Sequence, residues 1–152
     1  MKIAIASDHA GITLKQQIID HLKQKNIDVI DFGTNSLTSV DYPDYAQKCA
    51  RSVQEKKVTY GILICGSGIG MSIAANKFKG IRCALIYDEI TAKLAKEHNH
   101  ANIIAIGDRL TDHKLALKMV DIFLTTQEDP RHNVRVNKLN KLGDNDNECC
   151  SC

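Results

Sequence analysis

Gly61-Ile-Leu-Ile-Cys65-Gly-Ser-Gly-Ile-Gly70-Met-Ser-Ile-Ala-Ala75-Asn76 reads as an apolar strand that ends on a cysteine, crosses a glycine-rich turn and enters a helix. Gly66, Gly68 and Gly70 let the backbone turn tightly and let a ligand approach with no Cβ in the way. A helix beginning near Ile69 aims its unpaired N–H groups and the positive end of its dipole back at the turn, which makes an anion site. Cys65 stands at the strand tip inside the same field, where a thiolate is favoured. A polarised thiol beside a cradle of amides suits proton transfer or nucleophilic attack on an anionic small molecule. A plainer reading exists, because Gly-rich turns open helices in many nucleotide-binding folds and buried cysteines are usually packing. No Gly-Lys-Ser/Thr follows, so this is not a Walker loop, and the spacing is not that of a full dinucleotide fingerprint.

The chain around this stretch alternates strictly between strand and helix. Lys2–Ser7 predicts the first strand, and Leu14, Ile18 and Leu22 mark a helix by their i, i+4 spacing. Asp28–Phe32 is the second strand, followed by a helix opened by Asp41 and Pro43 and lined by Tyr42, Ala46, Cys49 and Val53. Gly61–Cys65 and a helix over Ile69–Phe78 come next, then a strand over Ile81–Tyr87 and a helix over Glu89–Glu97. Asn102–Gly107 is the fifth strand, and Thr111–Thr125 a long helix whose Thr-Asp start suits an N-cap. Five such units predict an α/β fold, a five-stranded parallel sheet with helices on both faces. Ligands in such folds bind beyond the carboxyl ends of the strands. The candidates there are Ser7-Asp8-His9, Cys65 to Gly70 and Gly107-Asp108-Arg109, so the unexplained polar residues gather at one end of the sheet.

Past Gln127 the composition turns basic, and a C-terminal helix would set Arg131 and Arg135 four apart on one face. Two guanidinium groups so placed can grip a phosphate, although a solvated basic helix would look the same. A segment added after a complete sheet can also pack on a second subunit, where its arginines would complete the partner's site.

A chain of 152 residues predicts one domain over residues 1–142, ample for a core. The 43% hydrophobic and 25% charged content is that of a globular protein, and a net charge of +2 argues for neither nucleic acid nor an anionic membrane as partner. No apolar run has the length of a membrane span and the N-terminus lacks a signal-peptide layout, so the expected location is cytoplasmic. Cys49, Cys65 and Cys83 are scattered singly, whereas Cys149, Cys150 and Cys152 crowd a tail, 143–152, that reads as unstructured. No histidine and carboxylate cluster has metal-ligand spacing, and His21 and His113 read as surface histidines.

Seven ordered motifs resemble the type-B ribose-5-phosphate isomerases of the ribose/galactose sugar-phosphate isomerase family. They are Ser7-Asp-His-Ala-Gly11, Asp41-Tyr-Pro43, the run Ile64 to Lys77, Gly80-Ile-Arg82, Glu97-His-Asn99, Gly107-Asp-Arg109 and Arg131-His-x-x-Arg135. The resemblance spans about nine-tenths of the chain and stops near Leu142. It implies a three-layer α/β/α Rossmann-like (flavodoxin-like) fold and interconversion of D-ribose 5-phosphate and D-ribulose 5-phosphate, without metal or other cofactor. It implies that Cys65 is the proton-transfer base, His98 opens the sugar ring and Asn99 is the adjacent substrate contact. The loop of Gly66, Ser67, Gly68, Ile69 and Gly70 becomes the anion hole for the enediolate, with Ser67 standing where some relatives have threonine. Asp8, His9, Arg109, Arg131 and Arg135 would hold sugar hydroxyls and phosphate, in a homodimer or tetramer whose site is shared between subunits.

Elementary chemistry agrees with that assignment. Aldose–ketose isomerisation needs a base working near neutral pH, donors aimed at a developing oxyanion, a separate acid/base for ring opening, and a remote phosphate grip. Three rivals remain: a six-carbon substrate such as allose or galactose 6-phosphate, a non-catalytic phosphate-binding module, and covalent catalysis by Cys65.

Overall fold

The elements in chain order are β1 (Lys2–Ser7), α1 (Ile12–Gln24), β2 (Asp28–Asp31), α2 (Tyr42–Gln54), β3 (Tyr60–Cys65) and α3 (Ile69–Ala75). They continue with β4 (Cys83–Leu85), α4 (Glu89–Glu97), β5 (Ile103–Gly107), α5 (His113–Thr125), a 3-10 turn at Pro130–His132 and α6 (Asn133–Leu139). The computed structural model describes residues 1–142, so the expectation for the Cys149/Cys150/Cys152 tail lies outside the described residues.

Side chains along the three central strands alternate between two unlike faces, as the two-residue strand period requires. Ile3, Ile5, Ile62, Ile64, Ile104 and Ile106 point together at α1, α4 and α5. All six are fully buried, each contributing about 1.5–3 kcal/mol of hydrophobic stabilisation. The opposite face carries smaller groups, Ala4, Ala6, Leu63, Cys65 and Ala105, which meet Ala46, Cys49 and Ala50 of α2 and Met71 and Ala75 of α3. Burial of this kind holds the Cys49 thiol protonated, its pKa driven far above the usual thiol range, and pushes Cys83 up to about 12. These two cysteines are packing.

The sheet is parallel throughout, in the order β2-β1-β3-β5-β4. It is the expected Rossmann-like α/β arrangement, with one departure: the flavodoxin order would run 2-1-3-4-5, and here β4 and β5 are exchanged. The exchange matters for the site. Because β5 pairs with β3, Cys65 lies opposite Gly107, and the loop bearing Arg109 lies beside the loop bearing the glycines. The chain leaves β1 toward β2 on one side and reaches β3 on the other, so the switch-point crevice opens between Ser7 and Cys65.

Three boundaries fall short of expectation for identifiable reasons. β4 is Cys83–Leu85 rather than Ile81–Tyr87, because as an edge strand it pairs only with β5. α3 stops at Ala75 rather than Phe78, where Asn76 ends it. The Asn76 amide accepts from the Cys83 N–H at 2.8 Å and donates to the Cys83 carbonyl at 2.8 Å, fastening the helix end to β4. The basic C-terminal segment is broken at His132, so Arg131 sits in the 3-10 turn and Arg135 in α6 instead of both lying on one regular helix.

Candidate active site

Beyond the carboxyl ends of β1, β3 and β5 lies an open cavity of about 460 Å3. Asp8, His9, Tyr42, Cys65, Gly66, Ser67, Gly70 and Arg109 line it. Cys65 is the last residue of β3 and only 5% exposed. The Gly68 N–H donates to its Sγ at 3.1 Å, the contact that a thiolate would take. Gly68 has a φ of +77°, a left-handed conformation that only glycine adopts cheaply, and it serves as N-cap of α3. That twist is what turns its N–H inward onto the sulfur. The Ile69 N–H is taken by the Ser67 hydroxyl at 3.3 Å, and the amides that follow at the start of α3 have no partner one turn back within the helix.

The loops after β1 and β5 complete this half. Asp8 is nearly buried and its carboxylate accepts from the Ala10 N–H at 2.9 Å. It does not cap α1; Asp108 does so from across the sheet, accepting from the Leu14 N–H at 3.2 Å while its other oxygen meets His113 at 3.1 Å. His113, expected to be a surface histidine, therefore has a bonding role. His9 accepts the Val40 N–H on Nδ1 at 3.2 Å, so a neutral ring carries its proton on Nε2. The Arg109 N–H donates to the Gly66 carbonyl at 3.1 Å, and its guanidinium lies over Gly66, where a Cβ would come within 3.3 Å.

His98, Asn99, Arg131 and Arg135 are elsewhere. His98 follows the end of α4 and precedes β5, at the amino end of the sheet. Cys65 is paired with the far end of β5, so roughly 13 Å of strand separates the two levels at about 3.3 Å per residue. The His98 ring stacks on His132 with centroids 4.3 Å apart. His132 accepts from the Arg135 guanidinium on Nδ1 at 3.0 Å, while its Nε2 is buried with no protein partner among the described residues. Burial first, then the positive neighbours His98 and Arg131, hold its pKa below the usual histidine value. Arg131 pairs with Asp129 at 3.0 Å, and Asn99 borders a second cavity of about 840 Å3 next to Arg82 and Leu139.

The three loops expected beyond the carboxyl ends of the strands do meet there, and His98, Asn99, Arg131 and Arg135 do not join them. The chain brings together Asp8, His9, Cys65, Gly66, Ser67, Gly70 and Arg109, and at the opposite end of the sheet His98, Arg131 and Arg135. Ile69 opens α3 with its side chain half exposed. Two residues were missed. Tyr42, read as part of a helix face and of the Asp41-Tyr-Pro43 motif but given no role, places its ring against Gly70, where a Cβ would meet it at 2.7 Å. Its position beside Asp41 and Pro43 at a helix start was the available signal. His132 was passed over because nothing in its spacing predicts a stacked histidine pair.

The family model described as Ribose/Galactose Isomerase matches residues 3–139. Ribose-5-phosphate isomerase B of Escherichia coli is 44% identical over 142 residues, covering 93% of this chain and 95% of that protein. Ribose-5-phosphate isomerase B of Clostridium thermocellum superposes with a TM-score of 0.93 at 46% identity, covering 95% of this chain and 98% of that one. The Mycoplasma genitalium enzyme, solved with bound ribulose-5-phosphate, superposes with a TM-score of 0.91 at 41% identity, covering 95% and 97%. With the family model and these relatives in agreement over nine-tenths of its length, the chain belongs to the ribose/galactose isomerase family of sugar-phosphate isomerases.

Proposed function

We propose that this chain interconverts D-ribose 5-phosphate and D-ribulose 5-phosphate through a cis-enediolate. The observation that carries the reading is Cys65, with the Gly68 N–H on its sulfur, at the wall of a cavity that also holds Asp8, His9 and Arg109. The thiolate takes the C2 proton of the open-chain aldose and returns it to C1 as a proton passes from O2 to O1. Charge that develops on the enediolate oxygens is met by amides of the Gly66 to Gly70 loop, fixed before the reaction begins. Arg109 is placed to hold anionic or hydroxyl groups remote from the reacting carbons, whose binding aligns the substrate.

His98 opens the furanose ring, and Arg131 and Arg135 grip the phosphate, in a site made by two protomers. The separation of Cys65 from His98 along β5 supports this reading, since one chain offers them at opposite ends. So does the apolar surface around β4: Ile69 and Ile73 on α3, with Leu85 and Tyr87 at the sheet edge, are all exposed. A twofold pairing through such a face would bring each protomer's amino-end cluster to the other's cavity.

The test follows ribose 5-phosphate by NMR with the unmodified chain and Cys65→Ala, both treated with a chelator. Ketose formation by the unmodified chain alone is expected. Conversion by both would move the base away from Cys65. Conversion of allose or galactose 6-phosphate in preference to the pentose would replace the substrate and keep the chemistry.

A further inference from the structure

We propose that Lys15 is a positioning residue that sets the orientation of His9 through the loop between β2 and α2; the inference rests on the isomerase reading for what His9 does. Lys15 is fully buried on α1, among Leu14, Ile18, Ile19 and Leu22. A buried ammonium costs several kcal/mol unless all its protons are engaged, and a methionine would fill the same space at no such cost. Here every ammonium donor is taken: Asp31 Oδ2 at 2.8 Å, the Thr34 carbonyl at 2.9 Å and Asn35 Oδ1 at 2.9 Å.

All three acceptors belong to the end of β2 and the start of one loop. From Gly33 to Val40 that loop has neither strand nor helix and is largely exposed, so packing does little to shape it. Hydrogen bonds shape it instead, as a relay of short steps joined by the backbone between them. Asp31 accepts from the Gly33 N–H at 2.8 Å, and the Thr34 N–H donates to the Ser7 carbonyl at 3.1 Å. The Ser36 N–H donates to the Thr34 hydroxyl at 3.0 Å, and the Thr38 N–H to the Ser36 hydroxyl at 3.2 Å. Two residues on, the Val40 N–H reaches His9 Nδ1. The ammonium is the buried anchor of this relay and His9 its far end. Held so, the ring presents its Nε2–H, a donor suited to a phosphate or hydroxyl oxygen, as part of the cavity wall.

The experiment uses the full chain with Lys15→Met, the milder Asn35→Ala, His9→Ala and the double variant Lys15→Met/His9→Ala. It reads KM and kcat on ribose 5-phosphate and the His9 tautomer by 15N NMR of the imidazole. Lys15→Met should raise KM by about tenfold, the worth of one hydrogen bond, with a smaller change in kcat. The double variant should be no worse than His9→Ala alone, because the lysine acts through the histidine. The His9 signal should lose its single Nε2–H form in Lys15→Met and in part in Asn35→Ala, which keeps the reading available if the buried substitution fails to fold. Multiplying KM effects, or an unchanged tautomer in both Lys15→Met and Asn35→Ala, would overturn the proposal. Absence of turnover by the unmodified chain would overturn the isomerase reading instead, and the tautomer would still decide whether Lys15 sets His9.

Discussion

Arg135 on α6 and His132 at the end of the 3-10 turn before it show how differently two neighbours can be read. Arg135→Ala should raise KM for ribose 5-phosphate roughly ten- to hundredfold with kcat little changed, the loss expected of one charged hydrogen bond. An unaltered KM would remove Arg135 from the phosphate grip. His132 makes a different prediction. Its pKa is depressed in the folded chain, so below its ordinary 6.5 the unfolded chain binds the extra proton and the folded chain does not. Stability should therefore be complete above pH 6.5 and fall as the pH drops below it. His98, Arg131 and Arg135 oppose that proton, and among the described residues Asp129 favours it. Thermal melts at pH 5.5 and 7.5 should differ less in His132→Asn than in the unmodified chain. At this scale the sequence was legible where chemistry is local. Cys65 announces itself by three glycines and a helix start, whereas Lys15 is one lysine in a surface-rich helix and its burial depends on a loop twenty residues away.

The elements were legible in kind and order, and their ends were not. α3 and β4 were both expected to be longer, and one amide explains both. Asn76 spends its side chain on Cys83, so the helix stops and the strand begins late, a tertiary contact invisible to local periodicity. The same corner sets a sharp test of the glycine turn. A Cβ on Gly68 would sit 2.6 Å from Leu85 and 2.9 Å from the backbone of Ile106, at a φ of +77°. Gly68→Ala should cost about 1–3 kcal/mol from the backbone conformation alone, and more from the clash. Denaturant unfolding checks the stability. The inward N–H on Cys65 should be lost as well, so kcat should fall further than the destabilisation explains. A variant as stable and active as the parent would mean the turn tolerates a side chain after all.

At the scale of the whole molecule, alternation of five strands and helices was enough to expect the sheet, the helices on both faces and the crevice near β1 and β3. The exchange of β4 and β5 was not, because crossover choices are made by packing rather than by local pattern. The separation of His98 from Cys65 follows from the direction of α4, which carries His98 back to the amino end of the sheet. A mixing experiment tests the shared site directly. Cys65→Ala and His98→Asn should each be inactive alone. Co-refolded in equal amounts, they should recover about a quarter of full activity, since half the pairs are mixed and each mixed pair holds one intact site. No recovery in a preparation shown to contain mixed pairs would mean the two residues act within one chain.

The distance from Cys65 to His98 has a consequence beyond geometry. A rigid strand cannot fold in half, so if both residues are needed, no internal motion short of unfolding makes a solitary chain competent. Turnover per molecule would then depend on how crowded the molecules are, falling steeply under dilution and recovering when they meet again. Such a catalyst has a threshold in abundance: below it the chain is present, folded and silent.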